Sequence, residues 1–129
     1  MPRPSHTLVL LSIAACVASG CKTAQLYDGA RLSREEVAHI SGDIPLTMAP
    51  LAVVLRQVDG RDLSVNEHAV DVLPGTHRLL VDCRIRETNS TTRHTLEVEV
   101  EAGERYRLEA ETSPGMRGCA EVRLARSPW

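Results

Sequence analysis

His77-Arg78-Leu79-Leu80-Val81-Asp82-Cys83-Arg84-Ile85 is the stretch on which the fold turns. His77, Leu79, Val81, Cys83 and Ile85 fall on one parity, while Arg78, Asp82, Arg84 and Arg86 fall on the other. A period of two sends alternate side chains to opposite faces of a strand, so one face here is apolar and the other charged. The same pattern continues downstream. Leu96, Val98 and Val100 alternate with Glu97, Glu99 and Glu101 as far as Ala102-Gly103. Tyr106, Leu108 and Ala110 alternate with Arg105, Arg107, Glu109 and Glu111 as far as Ser113-Pro114-Gly115, and Ala120, Val122 and Leu124 oppose Glu121 and Arg123. Upstream, Leu51–Val58 is β-rich and stops at Asp59-Gly60, a strong hairpin signal. Short strands are expected near Leu63–Val65 and over Ala69–Leu73, the second stopped by Pro74-Gly75, and Asn89-Ser90-Thr91-Thr92 reads as a polar turn. Six or seven short strands, each with one apolar face, predict a mainly β chain folded as a small antiparallel β-sandwich.

Ahead of the strands, Ser33-Arg34-Glu35-Glu36-Val37-Ala38-His39-Ile40 carries a capping box, Ser33 with Glu36, and a small apolar face of Val37 and Ile40. That spacing predicts a short N-terminal helix ending near Ser41-Gly42. Pro45 and Pro50 then bracket an extended connector. Residues 1–20 stand apart from the fold. Arg3 precedes Leu8-Val9-Leu10-Leu11-Ser12-Ile13-Ala14-Ala15-Cys16-Val17-Ala18, an apolar run of 11 residues. A helix that crosses a hydrocarbon core needs about 20. A charged start, a short apolar middle and small residues after it make a secretory signal helix. A buried N-terminal helix would instead show polar positions at a period of 3.6.

Ala18-Ser19-Gly20-Cys21 resembles the lipobox of bacterial lipoproteins, with Ala18 where that family more often carries Leu. The resemblance implies cleavage between Gly20 and Cys21 and acylation of Cys21 on its thiol and its new amino group. Cleavage by an ordinary signal peptidase near Gly20 is the other reading. Two or more acyl chains anchor a protein stably where one does so only marginally, so the implied partner is a membrane. Lys22 rather than Asp after Cys21 implies, by the same resemblance, the outer membrane facing the periplasm. The domain plan is then a lipoprotein signal peptide over 1–20, a tether over 21–32 and a single domain over 33–129.

A second resemblance rests on Val58-Asp59-Gly60, on Leu73-Pro74-Gly75-Thr76-His77-Arg78-Leu79-Leu80-Val81 and on Ala102-Gly103-Glu104-Arg105-Tyr106-Arg107-Leu108-Glu109-Ala110. These turn-and-strand segments resemble the PEGA-type β-sandwich repeat over roughly Leu51 to Ala110, so the expected sandwich is immunoglobulin- or PEGA-like. The resemblance implies a non-catalytic envelope module that presents loops or a sheet edge to an envelope protein or to peptidoglycan.

With Cys16 in the signal and Cys21 given to lipid, Cys83 and Cys119 remain. In an oxidising compartment two spare cysteines most simply form a disulfide. The alternative is a pair of buried free thiols. Simple alternation points Cys83 inward but Cys119 outward, in phase with Glu121. The disulfide therefore needs a bulge, expected at Gly118.

The chemistry of the remaining residues is sparse. The chain of 129 residues has a formal net charge of −2 and 2% aromatic residues (Tyr27, Tyr106, Trp129, no Phe), which supplies neither the basic footprint nor the stacking platforms of nucleic-acid binding. From Cys21 onward, 14 basic residues, of which only Lys22 is a lysine, face 17 acidic ones for a net charge of −3. There is no G-x-S-x-G, H-E-x-x-H, phosphate-cradling glycine loop or C-x-x-C. His77 and Cys83 lie about 20 Å apart along one strand, too far to act as a nucleophile and its base. His39, His68, His77 and His94 show no metal-ligand spacing, and Glu35-Glu36 and Asp82-Cys83 are neighbours that diverge in direction. The sequence thus predicts no catalytic residues, no metal and no cofactor. The charges of Glu97, Glu99 and Glu101 are expected to meet Arg105 and Arg107 across an Ala102-Gly103 hairpin. The rival to a binding module is a small envelope enzyme or inhibitor acting through loop residues such as His68, Arg86 and Arg117.

Overall fold

The alternating stretch at 77–85 lies in the longest hairpin among the described residues. The computed structural model describes residues 22–129. Nine strands follow in chain order: β1 (Lys22–Gln25), β2 (Ala38–Ser41), β3 (Leu51–Val58), β4 (Arg61–Asp62), β5 (Glu67–Val72), β6 (Gly75–Ile85), β7 (Ser90–Val100), β8 (Arg105–Thr112) and β9 (Cys119–Ser127). β6 and β7 pair without a break from Gly75 opposite Val100 to Ile85 opposite Ser90. Leu79, Val81, Cys83 and Ile85 are fully buried, as their parity demands. The Asp59-Gly60 turn has positive φ at both residues, 51° and 81°, the conformation for which Asp-Gly is chosen.

The strands form two sheets, β4-β3-β6-β7 and β1-β5-β2-β8-β9. A single apolar cluster joins them, with Val53, Leu55, Leu79, Val81 and Val100 from the first sheet and Ile40, Val70, Val72, Tyr106, Leu108 and Val122 from the second. At Gly42 the sheets come so close that a Cβ would stand 2.8 Å from the Val53 carbonyl oxygen. Glycine is the residue that lets backbone approach backbone there. The mainly β, two-sheet expectation holds.

Several finer expectations do not. The second sheet is mixed rather than antiparallel: β1 runs parallel to β5, and β2 parallel to β8. Parallel neighbours need long crossovers, and here the chain between β2 and β8 builds the whole of the other sheet. The short helix expected over 33–40 is absent. Its capping box exists, for the Ser33 amide and hydroxyl both donate to Glu36 Oε2, at 3.0 and 3.2 Å. It closes one turn, after which Val37 and Ala38 are buried and the chain enters β2. Burial on both sides of a central strand outweighs a local cap. The tether expected over 21–32 is shortened to its latter part, because Lys22–Gln25 is the edge strand β1 with Ala24 in the core. The strand expected near Leu63–Val65 is displaced to Arg61–Asp62. The signal helix over 1–20, Gly20 and Cys21 lie outside the described residues.

Ala102-Gly103 is not a hairpin. β7 belongs to one sheet and β8 to the other, so these residues carry the chain across the gap between sheets. Glu97 therefore faces Arg78 and Glu99 faces Thr76 across β6, while Glu101 pairs with Arg126 at 2.8 Å. Arg107 goes instead to Asp43, also at 2.8 Å.

The disulfide forms between Cys83 and Cys119, with Cα atoms 6.2 Å apart, and ties the two sheets together. The required bulge exists but one position on from Gly118's neighbour: Thr112 faces Cys119 and Glu111 faces Glu121, leaving Ala120 as the extra residue. Cys119 thereby turns inward and Ala120 outward, the reverse of what simple alternation gave, while Val122 stays inward as expected.

Candidate functional site

The end of the sheets where β1 begins is built by two loops. Lys22 is opposite Glu67, the first residue of β5, so the loop that precedes β5 reaches this end with Val65 58% exposed. β2 also ends here. The Gly42 amide donates to the His68 carbonyl, and the Asp43 amide donates to the Val53 carbonyl at 2.8 Å. The Val53 amide returns a bond to Asp43 Oδ2 at 2.8 Å, so the neck of the loop over 44–52 is pinned. Arg107 holds the other oxygen of Asp43.

Beyond the neck the loop projects apolar side chains outward. Ile44 is 46% exposed, Leu46 76% and Met48 69%. Among the described residues seven large hydrophobics are exposed; these three and Val65 are four of them and include the three most exposed. A scattered surface leucine needs no account, but four at one corner do. The loop keeps its shape through its carbonyls. Arg84 Nη2 donates to Pro45 O at 2.8 Å and to Thr47 O at 3.3 Å, and Arg86 Nη1 donates to Met48 O at 2.7 Å. Among the described residues neither guanidinium has a carboxylate within ion-pair distance. Both bring positive charge to the base of the apolar tip.

Leu46 and Val65 line the same groove of about 240 Å³, together with Pro45, Val54, Arg56, Asp82, Arg84 and Thr91. That is smaller than the 300–1,000 Å³ typical of small-molecule sites. Asp82 is held there by Arg93, through bonds of 2.9 and 3.2 Å, and by Arg56 at 3.6 Å. The bond and charge of Asp82 raise the pKa of Arg93.

The opposite end is finished with polar locks. Trp129 Nε1 donates to Gly103 O at 3.0 Å, Arg34 lies 4.4 Å from the centre of its ring, and His39 is 5.7 Å away. His39 Nδ1 donates to Asp71 at 2.8 Å. His77 reaches Asp59 Oδ2 through Nδ1 at 2.6 Å and Leu73 O through Nε2 at 2.7 Å. Both partners only accept, so both bonds form together only on the doubly protonated ring. Asp59 is partly desolvated, which raises its pKa, but the Arg78 amide and His77 together outweigh this and leave it lowered.

The residues singled out in the sequence are dispersed. Cys83 and Cys119 are joined; Gly20 and Cys21 are outside the described residues. His68 sits in β5 beside Asp43 and Arg107, Arg86 in the β6–β7 turn under Met48, and Arg117 in the β8–β9 connection. His39, His77 and His94 have separate partners, Asp71, Asp59 and Thr92. Among the described residues no three His, Cys, Asp or Glu side chains gather as metal ligands. The sequence reading missed the apolar corner, although Ile44-Pro45-Leu46-Thr47-Met48-Ala49-Pro50 is an apolar run between prolines without strand or helix period. No protein-family model matches the chain, and no curated protein and no solved structure matches it.

Proposed function

We propose that this protein is a lipid-anchored lipoprotein of the bacterial envelope, held in the outer membrane and facing the periplasm, with Cys21 as the acylated residue. Its domain serves as a non-catalytic binding or structural module. The observation that carries this reading is a short apolar run and three small residues leading into Cys21, followed at the next residue by the first strand. The Cys83–Cys119 disulfide suits an oxidising compartment.

We read the two sheets as an immunoglobulin- or PEGA-like sandwich. Tyr106 supports this, since its hydroxyl accepts the Glu101 amide at 2.9 Å just after the chain crosses between sheets. A tyrosine bonded back to the backbone a few residues upstream is a feature of such sandwiches. The surface best suited to a protein partner is the free edge of β7, eleven residues long and outermost in its sheet. An added strand would take its unpaired backbone groups, and Arg93, Glu97 and Glu99 guard that edge against unselective pairing.

Fractionation and crosslinking in intact bacteria test the reading. The wild type is expected in the outer-membrane fraction with a set of crosslinked envelope components, and Cys21→Ser is expected to lose both. Identical fractionation and identical partners for the two would remove the anchor from the account.

A further inference from the structure

We infer that the corner formed by Ile44, Leu46, Met48 and Val65 is a membrane-seating surface, which dips into the lipid headgroup region and fixes how the anchored domain stands on the bilayer. The inference rests on the lipoprotein reading above and adds to it a second, non-covalent contact. Three observations point to lipid rather than to another occupant.

The first is position. Cys21 is one peptide unit, about 3.8 Å, from Lys22, and Lys22 stands opposite Glu67 at the start of β5. Val65 is two residues before Glu67, and Leu46 lines the same groove as Val65. Acyl chains rooted at Cys21 would therefore enter the bilayer within about 15 Å of Val65, counted along strand rise and ladder spacing. Because β1 begins at Lys22, no flexible stalk separates the anchor from the folded domain. A domain so closely moored must touch the surface somewhere, and Val65 brings this corner close to the mooring.

The second is chemistry. The three most exposed large hydrophobics among the described residues, Leu46, Met48 and Val65, lie here, while the cations Arg84 and Arg86 sit beneath the loop with their guanidiniums turned to its carbonyls. Apolar tips over a basic base match the order of a bilayer surface, hydrocarbon beyond phosphate. A protein-binding pocket for a small ligand would need a deeper cavity than the groove here provides. The third is the scaffold. The Asp43–Val53 bonds and the three arginine–carbonyl bonds hold the loop in its projecting form, so its apolar groups cannot turn back into the core.

The test uses the full chain, expressed in bacteria, purified in detergent and reconstituted into vesicles of phosphatidylethanolamine and phosphatidylglycerol with brominated acyl chains. Trp129 in the wild type reports on the far end. Leu46→Trp in a Trp129→Phe background reports on the corner, and Val65→Trp in the same background guards against a purely local disturbance. Both corner probes are expected to shift to shorter wavelength and to lose most of their emission, most strongly with bromines about 5–10 Å below the headgroups. Trp129 is expected to keep its emission. Corner probes that are neither shifted nor quenched on vesicle-bound protein carrying acylated Cys21 would overturn the inference and leave the lipoprotein reading standing. A shift without quenching means that a second copy of the chain covers the corner, which also overturns it. Protein without acyl mass on Cys21 that fails to float with the vesicles would overturn the lipoprotein reading and this inference with it.

Discussion

The two ends of this two-sheet domain are finished by different means. At the end of Trp129, side chains are used to close the structure: an indole bonded to Gly103, Arg34 on its ring, His39 on Asp71, and His77 between Asp59 and Leu73. At the end of Lys22, the sheets are closed covalently by Cys83–Cys119, and the loops, one of them held by its own backbone carbonyls, display Ile44, Leu46, Met48 and Val65. A disulfide acts mainly by restricting the unfolded chain, so it secures an end without occupying its surface. The difference shows how a small domain separates the residues that hold it together from those it can offer to a partner.

Substitutions at the two ends test this difference. The largest expected effect is at the disulfide, which closes a loop spanning 36 positions. Replacing both cysteines with serine is expected to lower stability by about 4 kcal/mol in urea unfolding. A loss below about 1 kcal/mol would mean that the Lys22 end is secured by something else. Next is Trp129→Ala at the other end, which removes one hydrogen bond and a cation–π contact from a half-exposed ring and is expected to cost about 1 kcal/mol.

Asp59 gives a smaller, pH-dependent effect. Its folded pKa lies below the ordinary carboxylate value, so its contribution is present above that value and is lost as pH falls through the folded pKa. Asp59→Asn tolerates the positive φ of the turn but does not titrate there. The wild type is expected to exceed the variant by a few tenths of a kcal/mol at pH 7, since solvent screens so exposed a pair. Thermal unfolding should show the gap closing as pH falls below the ordinary carboxylate range. A gap that widens on acidification would reverse the assigned sign. The smallest effect belongs to Leu46→Asp, expected to change stability by less than about 0.5 kcal/mol because the side chain stands in solvent. A loss of several kcal/mol would place Leu46 in the core and end the contrast.

What the sequence disclosed follows from how each element is buried. β6 and β8, and β7 from Leu96 on, alternate between a wet and a dry face, so alternation located them, whereas Ser90–Thr92, read as a turn, begins β7. β3, buried at four consecutive residues from Ala52 to Leu55, was bounded instead by its β-rich composition and the Asp59-Gly60 stop. β1 and β2 are too short to show a period, and each pairs in parallel with a strand more than 40 residues away. Alternation carries no information about which distant strand lies alongside. The same blindness turned Ala102-Gly103 into a hairpin, because a turn signal does not reveal whether the next strand stays in its sheet. Cysteine arithmetic found the disulfide, and parity even announced that a bulge was needed, misplacing it from Ala120 to Gly118. The apolar corner escaped because it has no period at all. Its exposure is a property of the finished surface, decided by the bonds from Arg84 and Arg86.

The central claim is that the folded domain hangs directly from a lipidated Cys21. The intact mass and N-terminal peptide of the protein extracted from bacterial membranes test it most directly. The account predicts a chain that begins at Cys21 and carries both a thioether-linked diacylglyceryl group and an amide-linked acyl chain. An unmodified Cys21, or a chain beginning at any other residue, would contradict it.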